Sequence, residues 1–128
     1  MSTILPLFPL QLVAFPGEAL NLHIFEPRYR QLIQECETDG ITFGIPAFID
    51  GRVQEIGTEI ELIAIEKRYG DGKLDVKTKG IGIFKIEEFL SRAPSKLYPG
   101  AKVKKIEDDS HGDILQSNKI VEKNRRTV

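Results

Sequence analysis

Tryptophan is absent from this 128-residue chain, and cysteine occurs once, at Cys36. A lone cysteine excludes an internal disulfide and fits a reducing compartment. A surplus of charge is missing too: 18 Lys and Arg stand against 19 Asp and Glu, leaving a formal charge of −1. Gripping nucleic acid requires a cation excess to displace phosphate counterions, so nucleic acid is not an expected partner. No run is apolar for long enough to cross a bilayer, because Gln11, Glu18 and Asn21 interrupt the early hydrophobic stretch. No Lys or Arg precedes Arg28, and prolines break the apolar stretch, so the start does not read as a secretory signal. The cytoplasm is the expected location. No internal repeat is visible, and Gly70-Asp71-Gly72-Lys73 has neither the spacing nor the hydroxyl of a phosphate loop.

What is present is the composition of an ordinary soluble domain, 41% hydrophobic and 29% charged. The length suits one domain. Residues 3–7 and 20–24 read as short strands, joined by a loop in which Phe15-Pro16-Gly17 turns the chain. Pro27 suits the first helical position, and Tyr29, Leu32, Ile33 and Cys36 follow at i, i+3, i+4 and i+7, which predicts one main helix near residues 27–37. Arg28, Arg30, Gln31, Gln34, Glu35 and Glu37 take its other face, and Gly40 is placed to end it.

Beyond the helix the period changes to that of strands. Residues 41–48 and 56–68 are rich in β-branched and aromatic side chains, and the continuous apolar run 62–65 predicts burial on both faces there. Residues 69–73 carry a hairpin signal, since glycines supply the positive φ of a tight turn. The apolar phase is odd at Ile81 and Ile83 but even at Phe84 and Ile86, so a bulge or sharp bend is expected around Gly80 and Gly82. Residues 91–100 read as a loop holding Pro94 and Pro99. Residues 101–106 read as a last edge strand studded with Lys102, Lys104 and Lys105. The organisation expected is a β-rich domain over residues 1–108 and a tail over 109–128, the tail being a marginal helix or the start of a helical subdomain.

The opening run Leu5-Pro6-Leu7-Phe8-Pro9-Leu10, then Phe15-Pro16-Gly17, then Phe25-Glu26-Pro27-Arg28-Tyr29, resembles the amino-terminal substrate-recognition domain of the Lon ATP-dependent proteases. Phe43-Gly44-Ile45, Gly57, the 71–76 segment, and Gly80 with Phe84 continue the family's order. The resemblance covers roughly residues 4–90 and implies a mainly β (α+β) fold: a strongly bent, PUA-like half-barrel of about six strands with one helix. It also implies a polypeptide-binding role. Many relatives carry arginine at the position of Ile83, so a polar role there is not carried over. The chain is expected to stop short of the family's helical second subdomain, and it shows neither the ATPase nor the Ser–Lys protease of that family. Pro16, Gly17, Phe25, Glu26, Pro27, Arg28, Tyr29, Gly57, Gly80 and Phe84 are the motif positions, read as structural.

Each candidate for chemistry has a plainer reading beside it. His23, between Leu22 and Ile24, reads as a structural or half-exposed strand residue. Asp108, Asp109, His111 and Asp113 read as a solvated acidic loop sooner than a metal site. Cys36, on the apolar helix face, reads as buried and inert, and Ser117 with Lys119 has no fixed geometry for a dyad. Glu26 places negative charge at the positive end of the helix dipole, where Arg28 is able to pair with it. No catalytic residue, metal or cofactor is expected.

Leu10, Leu12, Val13 and Phe15 put more apolar side chains into one loop than solvation requires, which makes them the candidate binding patch. The function expected is therefore non-catalytic capture of unfolded or client polypeptide, with a protease or chaperone as a further partner and with strand addition at a sheet edge contributing. Two alternatives are an RNA-binding face of Lys102, Lys104 and Lys105 with Tyr98, and an adaptor that docks on a folded protein. No oligomerisation segment is evident.

Overall fold

The computed structural model describes residues 3–106. These form β1 (Thr3–Pro6), β2 (Ala19–Ile24), α1 (Pro27–Asp39), β3 (Phe43–Ile49), β4 (Arg52–Arg68), β5 (Leu74–Leu90) and β6 (Gly100–Ile106). The expected acidic loop, the Ser117–Lys119 pair and the 109–128 tail lie outside the described residues. Among the described residues no helix is long and apolar enough to cross a membrane.

All strand pairs are antiparallel, in the order β1-β6-β5-β4-β3, with β2 added to β5. β5 is the spine: it pairs with β2 and β4 along its first half and with β4 and β6 along its second. The sheet does not close into a barrel, but it curls until its two end strands meet at an isolated parallel bridge between Leu7 and Gly44. There the Phe8 N–H donates to the Gly44 carbonyl over 2.9 Å.

Bulges produce the curl, since each extra residue bends its strand and adds twist. Glu59 faces Gly82 and Ile60 faces Gly80, so Ile81 is the extra residue at the predicted site. Ile63 and Glu66 on β4 and Glu87 on β5 are further extras. These bulges also correct one expectation. The run 62–65 is not buried on both faces, because the bulge at Ile63 turns that side chain outward to 49% exposure; the stretch with consecutive buried residues is instead 57–60. A second correction concerns β6. It lies between β1 and β5 and so is not an edge strand, because its partner comes from the far end of the chain.

The helix forms as its stripe requires. Tyr29, Leu32, Ile33 and Cys36 are buried, and Gly40 ends it in the left-handed conformation at φ 70°, its N–H donating to the Cys36 carbonyl. It runs two residues beyond the expected end, to Asp39. This face joins Phe8, Ile24, Phe43, Ile45, Ile60, Leu74 and Val76 in the main core, where Phe8 and Tyr29 stack with centroids 4.0 Å apart.

A second cluster, Leu5, Leu7, Phe84, Ala101 and Val103, fills the curl. Phe84 is fully buried, and it lies where two glycines let backbone come close. A Cβ on Gly44 would stand 2.5 Å from the Phe84 ring, and one on Gly57 would stand 2.6 Å from that ring and 2.5 Å from the Ile45 carbonyl oxygen. Gly57→Ala is therefore expected to lower stability by about 1–3 kcal/mol through overpacking. Gly70, with no heavy atom within 4 Å of its added Cβ, is the control: Gly70→Ala is expected to stay within about 0.5 kcal/mol of the parent in a urea titration.

Candidate functional site

The loop between β1 and β2 lies across the sheet and is pinned along its length. The Leu12 carbonyl accepts the Phe48 N–H at 3.2 Å, and the buried Ala14 carbonyl accepts the Thr58 hydroxyl at 2.6 Å. Gly17 and Gly80 exchange backbone bonds with this loop: the Gly17 N–H donates to the Gly80 carbonyl, and the Gly80 N–H donates to the Glu18 carbonyl. A Cβ on Gly80 would strike the Phe15 carbonyl oxygen, so the motif glycine here permits the loop to touch β5. Leu10 and Leu12 turn half-buried against the main core, Val13 is half-buried, and Phe15 stands 40% exposed with its N–H held by the Glu18 carboxylate. The four candidates thus share one rigid loop but point in different directions.

Beside the start of this loop lies an open groove of about 450 Å³, lined by Pro9, Pro46, Val53, Gln54, Glu55, Ile86, Glu87 and Phe89. Irregular pairing builds it. Pro46 faces Gly57 but Phe48 faces Val53, so β4 carries residues 54–56 opposite Ala47 alone and is pushed out from β3. Across the groove, the bulge at Glu87 swings the end of β5. Val53 and Phe89 project from these strands with 52% and 55% exposure. Two large apolar side chains held open on strands, beside two prolines, make a surface that loses ordered water when another chain covers it. Sequence reasoning missed both residues; the apolar pattern of β5 continuing through Ile86 to Phe89 was the available signal.

The start of α1 carries the other motif residues. Glu26 is the N-cap, and its carboxylate accepts from Arg28 Nε at 3.0 Å, while the Arg28 guanidinium lies 4.8 Å from the Tyr29 ring centroid. Pro27 follows the cap as expected, and Phe25 is 55% exposed. Next to it, His23 Nδ1 lies 2.6 Å from Asp75 Oδ1, and the Tyr69 hydroxyl donates to Asp75 Oδ2 at 2.6 Å. The hydrogen bonds from Tyr69 and then His23 hold the Asp75 carboxyl below its usual range. His23 is a half-exposed strand residue with a structural partner.

A second cavity, about 570 Å³, opens between β1 and the start of β3. Its charged lining is already engaged internally: Glu59 accepts from Thr42 at 2.6 Å and from Lys105 at 3.4 Å, and Lys96 pairs with Glu35 at 2.9 Å. Tyr98 is 2% exposed, and its hydroxyl donates to Glu35. It therefore offers no face for a stacked base, and of the three lysines Lys102 is paired with Glu88 and Lys105 with Glu59.

Burial alone would raise the Glu35 carboxyl, but hydrogen bonds from Tyr98 and Lys96 outweigh it and hold the group below the usual carboxylate range. A folded pKa below the unfolded one gives stability that is complete above about pH 4.3 and is lost as pH falls through the folded value. Tyr98→Phe is expected to remove about 1.5–3 kcal/mol at pH 7 and to flatten the loss of stability below pH 4, read from urea midpoints across pH. Burial, aided by the Glu35 charge, pushes the Cys36 thiol up to about 12. A thiol reagent at pH 8 should accordingly modify the native protein only as fast as it unfolds; rapid native labelling would contradict the buried placement.

A family model described as the ATP-dependent protease La (LON) substrate-binding domain matches residues 4–127. Among solved structures, a Lon N-terminal domain protein from Xanthomonas campestris is 30% identical over 82% of this chain, with a TM-score of 0.69. The chain spans 60% of the length of that protein. The N-terminal domain of a Mycobacterium avium complex Lon protease is 13% identical over 82% of this chain and 55% of its own, with a TM-score of 0.62, which is a likeness of fold.

Proposed function

Because this chain belongs to the family of ATP-dependent protease La (LON) substrate-binding domains, we propose that it is a non-catalytic module that binds segments of client polypeptide along the groove between Pro9, Val53 and Phe89. The carrying observation is the exposure of Val53 and Phe89 on strands fixed by the sheet, beside Pro9 and Pro46. Rigid apolar anchors bind with little loss of their own freedom, so the ordering cost falls on the client. Burying two such side chains offsets part of that cost, and affinity is modest because one small groove must order a flexible chain. The loop 10–15 starts next to Pro9, and of its four apolar candidates Phe15 is exposed while Leu10, Leu12 and Val13 are half-buried.

An NMR titration of the labelled protein with a permanently unfolded polypeptide tests this reading. Amides of Val53, Ile86 and Phe89 are expected to shift first, with those of Val13 and Phe15 following. Val53→Ser with Phe89→Ser is expected to weaken binding roughly tenfold while leaving the fold's spectrum intact. Shifts from single-stranded RNA and none from polypeptide would overturn it.

A further inference from the structure

The groove's ionisable lining has one sign. Glu55 on β4 and Glu87 at the β5 bulge are its charged residues, and Gln54 is its other polar side chain. Among the described residues neither carboxylate forms an ion pair, whereas the next acid along β5, Glu88, is matched by Lys102 at 3.4 Å. The two come from different strands, and the apolar side chains Val53, Ile86 and Phe89 share the lining with them. This is an apolar trough with an acidic rim.

Resting on the polypeptide-binding reading of this site, we infer that the groove selects extended client segments in which apolar residues are flanked by lysine or arginine. The apolar centre of such a segment covers Val53 and Phe89 and removes their surface from water. The flanking cations meet Glu55 and Glu87 at the rim, where water still screens them. Pairs of this kind contribute little each, so they set preference among clients more than total affinity. An acidic segment brings like charges together at the same two positions and is disfavoured by as much. The discrimination is electrostatic and exposed, so it fades as salt shortens the screening length.

The test uses the full chain and two synthetic peptides with the same central apolar sequence, one flanked by lysines and one by glutamates. NMR shifts at Val53, Ile86 and Phe89 are followed at low and high salt. The lysine-flanked peptide is expected to bind roughly three- to tenfold more tightly at low salt, with the difference shrinking at high salt. Glu55→Gln with Glu87→Gln is expected to abolish the preference, and Glu55→Lys with Glu87→Lys to reverse it; both substitutions lie at the solvent-facing rim. Equal binding of the two peptides in the groove overturns the charge selection and leaves polypeptide capture standing. Binding of neither peptide overturns both. Groove shifts that follow protein concentration alone identify a second copy of the chain as the occupant and also overturn the inference.

Discussion

The contact on which the rest depends is the packing of the Phe84 ring against backbone at Gly44 and Gly57. A curled sheet must bring its inner surfaces together, and here an aromatic ring lies directly against peptide, with no side chain between. That contact sets how tightly β3 and β4 fold over β5, and so whether Leu7 reaches Gly44 to join the two ends of the sheet. Leu5, Ala101 and Val103 then complete a small cluster that would be open to water in a flat sheet. Glycine and phenylalanine positions far apart in sequence thus act as one unit.

The same curl creates the groove. Extra residues on β4 and β5 supply the bend, and they also break the regular alternation of inward and outward side chains. Where alternation fails, apolar groups emerge at the surface: Ile63 and Ile81 at two bulges, and Val53 and Phe89 beside two others. At these four positions, shape and exposed apolar surface have one cause.

How much was legible follows from how local each signal is. The helix is readable from Pro27, a four-residue stripe and Gly40, because all of its determinants lie within one segment. The bend at Gly80 and Gly82 is readable for the same reason, since a phase change in the apolar pattern is a local mark. The interior position of β6 is not readable, because its neighbour β1 lies at the opposite end of the chain and local periodicity carries no information about partners. Burial of Tyr98 is hidden in a loop that its prolines mark as irregular. It is held by Glu35 from the helix, with the Leu97 N–H donating to Gln31 of the same helix. The loop 10–15 is apolar in sequence, but the hydrogen bonds that pin it at Leu12, Ala14 and Glu18 come from Phe48, Thr58 and Gly80, none of them nearby in sequence.

The pairing of β1 with β6 sets Thr3 opposite Val103. A ribosome delivers the first of these strands long before the second, so β1 must wait for its neighbour while most of the chain is made, and the second half of β5 waits until residues 100–106 follow it. During that interval the edge of β5 from Ile83 to Leu90 is open to any extended chain nearby. A domain of a substrate-binding family thus passes through a stage in which its own sheet is incomplete, with one of its two 17-residue strands unguarded along one edge until β6 arrives.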